Sequence, residues 1–90
     1  MAWDIVEVIA DGAIATRPCF CGGATLIGGL DAASLELFDG DPAGTGTLKE
    51  TLEAAAAGVD TRDFGDGVGF PNGLYILITG NGAVGYIRWK

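Results

Sequence analysis

The chain lacks histidine entirely, and it contains a single serine, Ser34, and two cysteines, Cys19 and Cys21. Histidine is the usual general base near neutral pH and a common ligand of catalytic zinc. Without it, neither the serine nor the thiols have the neighbour that normally activates them as nucleophiles. A pair of carboxylates could act as acid and base, but it needs a cleft that 90 residues of short strands rarely enclose. The sequence therefore predicts a protein that is not an enzyme.

Basic residues are also scarce: five lysines and arginines stand against 12 acidic residues, which gives a net charge of −7. The five do not form a cluster in the sequence, where they are Arg17, Lys49, Arg62, Arg88 and Lys90. Because acidic groups repel phosphates, this balance argues against direct binding to nucleic acid and to anionic membrane surfaces. The same charge suits docking on a basic surface of another protein.

Long apolar runs are absent as well. No stretch approaches the roughly 20 residues that span a bilayer. The start, MAWDIVEV, lacks the basic residues and the apolar stretch of a signal peptide. We therefore expect a chain that is made and folded in a cytoplasm. Two cysteines are too few for a disulfide framework.

Apolar residues, in contrast, make up 49% of the chain, and glycine occurs 16 times. The 90 residues predict one domain covering positions 1–90. A domain of this size buries only about 60–65% of the surface that its unfolded chain exposes. We therefore expect surplus apolar surface, which contacts between copies in an oligomer would bury.

The clearest strand signals lie near the end of the chain. Two apolar runs, Leu74–Thr79 and Ala83–Trp89, are separated by Gly80-Asn81-Gly82, and Asn72-Gly73 marks another turn before them. Their residues favour a pleated, half-buried surface, and glycine and asparagine supply the positive φ angles of a tight turn. The pattern predicts a β-hairpin over Leu74–Trp89.

Earlier segments are also typical of strands. Trp3–Ala10 is followed by the turn signal Asp11-Gly12, after which Ala13–Arg17 is expected to return antiparallel. The other predicted strands are Ala24–Leu30, broken by Gly28-Gly29; Ser34–Phe38; and Val59–Phe64, which a Gly65–Gly67 loop follows. Seven or eight short strands, spaced about 8–12 residues apart, predict an all-β domain of the β-sandwich or jelly-roll type.

Local rules conflict over Thr47–Gly58, TLKETLEAAAAG. Thr47 with Glu50 forms a helix capping box, the alanines favour a helix, and Gly58 suits its end. However, Leu48 and Leu52 also fit a strand's alternation, and only these two residues would anchor a helix. Both structures stay open, and the neighbouring strands favour a strand that runs into a loop.

Cys19-Phe20-Cys21 places both sulfurs on one side of an extended chain, before Gly22-Gly23. A disulfide between residues two apart would be strained, and the missing histidine leaves no complete zinc ligand set. We expect two buried or half-buried thiols before a glycine turn, with a metal site shared between copies as the alternative.

An acidic loop offers the other candidate for a metal. Asp39, Asp41 and Glu50 fall at positions 1, 3 and 12 of an EF-hand pattern, with Gly44 at position 6. Ala43, at position 5, has no side-chain ligand, and the preceding segment is too short for the entering helix. We expect an ordinary connecting loop, and a looser Ca²⁺ site stays as the alternative.

Two segments carry a resemblance to a known group of proteins. Residues 35–48 read LELFDGDPAGTGTL, and residues 70–89 read FPNGLYILITGNGAVGYIRW. Together they resemble small β-proteins from the structural regions of tailed bacteriophages, in which a strand ends in an aromatic-Asp-Gly loop. Residues 19–21 and the alanine run at 54–57 lie outside this pattern.

The resemblance implies a non-enzymatic virion protein, above all a capsid cement or decoration protein of the head shell, carried in phage particles that assemble in the bacterial cytoplasm. Its expected partners are the major capsid protein or other virion proteins, and trimers would match local threefold axes. The resemblance implies no catalytic residues and no cofactor. Two alternatives are a module of the phage tail, neck or fibre, and a small Ca²⁺- or carbohydrate-binding β-module.

The predicted contact residues are aromatic, because tryptophan, tyrosine and phenylalanine bury large areas at interfaces. Ordinary core packing is the default for each of them, and we expect about half to be core. They are Trp3, Phe38, Phe64, Phe70, Tyr75, Tyr86 and Trp89.

Overall fold

The computed structural model describes residues 3–90, and these residues form eight strands and no helix. The strands are β1 (Asp4–Val8), β2 (Gly12–Ala15), β3 (Cys19–Ile27), β4 (Ala33–Asp39), β5 (Thr47–Ala54), β6 (Val59–Phe70), β7 (Leu74–Thr79) and β8 (Val84–Trp89). Within this part of the chain, no helix is long and apolar enough to cross a membrane. The predicted all-β class is confirmed.

The strands form two antiparallel sheets of four, which pack as a sandwich. The first sheet has the order β1-β8-β3-β6, and the second has the order β2-β7-β4-β5. Only the β4–β5 connection joins neighbours within one sheet, and every other connection between these strands crosses to the opposite sheet. The chain therefore alternates between the two sheets along nearly its whole described length.

The predicted hairpin over Leu74–Trp89 is wrong in its pairing, although both strands are present. Strand β7 pairs with β2 and β4, whereas β8 pairs with β1 and β3. Gly80 and Gly82 have φ angles of 119° and 78°, so the turn is as tight as predicted. The turn leads the chain across the sandwich, since β7 and β8 each bury an apolar face from opposite sides.

The same error affects the start of the chain. The segment after Asp11-Gly12 was expected to return along Trp3–Ala10, but β2 pairs with β7 instead of β1. A turn signal fixes the local φ and ψ angles, whereas the choice of neighbour depends on which arrangement buries every apolar face at once.

Two glycine segments that read as a turn and a loop lie inside strands. Gly22-Gly23 belongs to β3, and Gly65–Gly67 belongs to β6. Cys21 pairs with Val68 and Gly23 pairs with Asp63, so four residues of β6 bulge out opposite one residue of β3. Glycines tolerate the positive φ angles of this bulge, 62° at Gly65 and 114° at Gly67.

Strand β5 resolves the conflict over Thr47–Gly58 in favour of the strand. It runs to Ala54, and a turn follows in which Gly58 N–H donates to the Ala55 carbonyl at 2.8 Å. Ala57 takes the positive φ of 58° in that turn. The predicted strand followed by a loop is confirmed.

The core lies between the two sheets and is built from alternating residues of their inner faces. Burying one large apolar side chain stabilises the fold by about 1.5–3 kcal/mol, so these residues dominate stability. The largest fully buried side chains are Phe70, Leu26, Leu35, Leu37, Leu52, Leu74, Ile76, Ile87 and Cys21.

Candidate functional site

Three of the seven predicted contact aromatics pack against the core. Phe70 is fully buried, so the prediction that it contacts a partner is corrected. Phe64 and Trp89 are partly buried against the same core. Lys49 donates to the Gly69 carbonyl at 3.0 Å, and its ammonium lies 5.6 Å from the Phe70 ring centroid. This lysine covers the edge of the sandwich beside Phe70.

Phe38 and Tyr75 lie side by side on the outer face of the second sheet, where β4 and β7 pair them directly. The pairing continues on both sides, because Tyr75 is also opposite Ala13 and Phe38 is opposite Leu48. Four apolar residues therefore form one row across all four strands. We call Ala13, Tyr75, Phe38 and Leu48 the apolar row.

The sequence indicated only the two aromatic members of this row. Leu48 is 46% exposed, yet its local pattern fits an ordinary apolar strand position. Ala13 gives no local signal. Both residues join the row only through strand pairing. A single apolar residue at the surface is normal, whereas a contiguous apolar row marks an interaction surface.

The rest of this outer face is more polar. Leu77 is paired with Glu36, and Ser34 and Thr79 share a hydrogen bond of 3.0 Å. Glu53 lies beyond Ser34 on β5. The apolar row therefore occupies the end of the sheet nearest the β4–β5 loop.

An open groove of about 420 Å³ adjoins the apolar row. Its lining includes Tyr75 and Leu77 of β7, Pro42 and Ala43 of the β4–β5 loop, and the exposed residues Asp11 and Asp41. The lining is mostly apolar, with one acidic residue from the turn before β2 and one from the β4–β5 loop.

Local hydrogen bonds hold both carboxylates in place. Asp41 Oδ1 accepts from Ala43 N–H at 2.9 Å, and the Asp41 carbonyl accepts from Gly44 and Gly46. Asp11 Oδ1 accepts from Ile78 N–H at 2.7 Å, just beyond the end of the β2–β7 ladder. The groove therefore has two acidic residues in its lining, each anchored by a hydrogen bond from a backbone N–H.

The outer face of the first sheet holds Trp3. A Cβ atom at Gly22 would lie 2.8 Å from Trp3 Cε2, and one at Gly67 would lie 3.0 Å from Trp3 Cη2. Only glycines give the indole this close an approach. Lys90 Nζ lies 4.3 Å from the Trp3 ring centroid, which is a cation–π contact.

Tyr86 lies on the same outer face of the first sheet, whereas Phe38 and Tyr75 belong to the second sheet. Its hydroxyl donates to Glu7 Oε2 at 3.0 Å, and this bond together with the glutamate charge raises the pKa of Tyr86. The predicted aromatics therefore do not form one surface: they divide between the core and two opposite faces.

The acidic loop uses its carboxylates to hold turns. Asp39 is buried and accepts from the Asn72 backbone N–H at 2.8 Å and from Asn72 Nδ2 at 3.3 Å. Asp41 holds the Ala43 amide, and Glu50 is paired with Leu37 across β4 and β5. Among residues 3–90, no three acidic or cysteine side chains are grouped to hold a metal ion.

Both cysteines point into the core as free thiols, which confirms the expectation of buried side chains. Cys21 Sγ donates to the Gly23 carbonyl at 3.5 Å, and burial raises its pKa to about 11. Burial also raises the pKa of Cys19. Because both thiols are buried, the surface of the described chain offers no thiol ligands for the alternative of a metal site shared between copies.

No protein-family model matches the chain, and no curated protein or solved structure shows significant similarity to it. The resemblance to phage structural proteins therefore stays a prediction, and the geometry of the outer faces carries the functional argument.

Proposed function

We propose that this protein is a non-enzymatic structural protein that attaches to a larger assembly through the apolar row, as a capsid cement or decoration protein of a bacteriophage. The observation that carries the proposal is the row itself. Ala13, Tyr75, Phe38 and Leu48 lie in pairing register across the second sheet, on the side away from the core. A contiguous apolar row with aromatic members is typical of the centre of a protein interface.

Hydrogen bonds along the β5–β6 edge of the sandwich disfavour pairing with a partner strand there, which supports docking through an outer face. On the β5–β6 side, Lys49 donates to the Gly69 carbonyl at 3.0 Å, and Glu53 N–H donates to Asp60 Oδ2 at 3.1 Å. These bonds connect the two edge strands and occupy groups that an added strand would use. Addition of a partner strand at this edge is therefore disfavoured.

The assignment to the phage head rests on the resemblance of residues 35–48 and 70–89 to phage structural proteins. The expected partner is the major capsid protein, and a trimer would suit the local threefold axes of a shell. A protein that binds the assembled shell more tightly than its free subunits shifts assembly toward the shell by mass action. The net charge of −7 favours a basic surface on that shell.

Sedimentation of the purified protein, alone and with capsid shells prepared without it, tests this function. We expect a trimer that co-sediments with shells and raises their melting temperature. Phe38→Ala should weaken shell binding by about tenfold or more, since aromatic anchors dominate interfaces. Ile5→Ala is the matched control, because Ile5 is 68% exposed on the opposite outer face.

Wild-type protein that stays in the supernatant would overturn the head assignment. Binding to purified tails instead of shells would move the protein to the tail, neck or fibre. Equal loss in the Phe38 and Ile5 variants would contradict the apolar row as the contact surface.

A further inference from the structure

We infer that the groove beside the apolar row binds an extended segment of the partner protein that carries an apolar side chain flanked by lysine or arginine. This inference rests on the proposed attachment role and names the chemistry of the surface that is contacted. Its basis is the combination of an apolar lining with two acidic residues, each anchored by a hydrogen bond from a backbone N–H.

The apolar part of the site consists of Tyr75, Leu77, Pro42 and Ala43. The volume of about 420 Å³ exceeds one side chain and suits a short stretch of peptide. Tyr75 belongs to both the groove and the apolar row, so a segment in the groove would continue directly onto the row.

The charged part consists of Asp11 and Asp41. Each uses Oδ1 to accept a backbone N–H, and within residues 3–90 neither forms an ion pair with a lysine or arginine. Both residues are also exposed, so their carboxylates can meet a basic group from outside. Glu36 adds a third negative charge on the same face, beside Leu77. An acidic segment would be repelled, and a purely apolar one would leave these charges without partners.

A second copy of this chain is a poor match for the groove, because each of its basic side chains already has an intramolecular contact. Engaged side chains lose those contacts on moving to a new partner, which lowers the net gain from binding. The contacts are Arg17 over Trp89, Lys90 over Trp3, Lys49 with the Gly69 carbonyl, Arg62 with Asp60, and Arg88 with the Gly22 carbonyl. A different protein, whose basic side chains have no such contacts to lose, is therefore the better match for the groove.

The first test is an NMR titration of the ¹⁵N-labelled protein with three capped pentapeptides, Lys-Leu-Lys-Leu-Lys, Glu-Leu-Glu-Leu-Glu and Lys-Gly-Lys-Gly-Lys. We expect saturable shifts of the Ala43 and Leu77 amides with the first peptide alone. Raising the salt from about 0.02 to 0.3 M should weaken this binding, because exposed charges are screened. Equal shifts with the glutamate or the glycine peptide would overturn the inference.

Charge-neutral variants give the second test. Asp11→Asn with Asp41→Asn keeps an oxygen for each backbone N–H while removing both charges. We expect this variant to keep its fold and to bind the Lys-Leu peptide about three- to tenfold more weakly, as two exposed ion pairs predict. Asp31→Asn, at an exposed position outside the groove, is the control and should bind as the wild type does. Unchanged affinity in the double variant would overturn the inference.

Shell binding separates this inference from the proposed function. If the double variant binds shells as tightly as the wild type while Phe38→Ala does not, the attachment role stands and the groove inference fails. If the Lys-Leu peptide binds the groove while shells do not bind the protein, the groove inference stands and the head assignment fails.

Discussion

The buried carboxylate of Asp39 is expected to be one of the most important polar groups for stability. It lies at the end of β4 and accepts two hydrogen bonds from Asn72, one from the backbone N–H at 2.8 Å and one from Nδ2 at 3.3 Å. Gly40 N–H adds a bond to the Gly73 carbonyl at 2.9 Å. Together these bonds stabilise the turn between β6 and β7, where the chain passes from the first sheet to the second.

The cost of Asp39→Ala follows from these bonds. A hydrogen bond to a charged group contributes about 1.5–3 kcal/mol, and the Asn72 amide would lose its acceptor in a partly buried place. Because the Nδ2 bond is long, we assign most of the loss to the backbone N–H and expect about 3 kcal/mol in total. For a domain of this size, that corresponds to a fall in melting temperature of roughly 12–24 °C.

Urea unfolding of a small set of variants measures this effect. Asn72→Ala removes only the weaker bond and should cost about 0.5–1 kcal/mol. Asp39→Asn keeps an acceptor for the backbone amide and should cost about 1 kcal/mol. Ser34→Ala, which removes an exposed hydrogen bond on the same strand, is the control and should cost about 0.5 kcal/mol or less. If Asp39→Ala costs no more than Ser34→Ala, the role assigned to the buried carboxylate is wrong.

Three further measurements test the core and the ionisable groups. Burial raises the pKa of Cys21 from 9.0 to about 11, so the unfolded chain loses this proton at a lower pH than the folded chain. The free energy of unfolding should therefore keep its full value below pH 9 and fall as the pH rises, by about 2 kcal/mol at pH 11. Cys21→Ala should lack this part of the loss in urea unfolding, and an identical pH dependence would contradict it. Glu7→Gln should lower the pKa of Tyr86 toward its ordinary value, because it removes the negative charge and the charged hydrogen-bond acceptor. A ¹³C NMR titration of the tyrosine ring measures this pKa, and an unchanged value would refute the prediction. Leu37 is fully buried, so Leu37→Ala should lower the free energy of unfolding by about 3–5 kcal/mol. Leu48 is 46% exposed, so Leu48→Ala should lower it by less than about 1 kcal/mol. Similar losses in the two variants would contradict the faces assigned to these residues.

The local sequence determined most of the strand segments and several of the turns, although it misplaced Gly22-Gly23 and Gly65–Gly67, which lie inside strands. In Ser34–Phe38, the alternation of Leu35 and Leu37 with the other residues predicts the two faces correctly, since side chains of a strand point alternately to opposite sides. Asn72-Gly73 marks its turn because Gly73 adopts a φ of 95° that other residues rarely take. These properties depend on residues that are adjacent in the sequence.

The tertiary structure decided which strands pair and which surfaces result. Leu74–Thr79 and Val84–Trp89 look like a hairpin, yet they lie in opposite sheets, because that arrangement buries both apolar faces against each other. Phe38 was visible as a candidate, but its alignment with Tyr75, Ala13 and Leu48 depends on three strand registers.

The candidate site was therefore only half predictable. Its aromatic residues are visible in the sequence, but the groove brings Asp11 together with Asp41, and no local pattern relates these positions. The sequence by itself determined most of the strands, several of the turns and the lack of histidine, since each is a local or compositional property. The fold decided the rest, because pairing is selected by the burial of all apolar faces together, and that selection joins residues far apart in the chain.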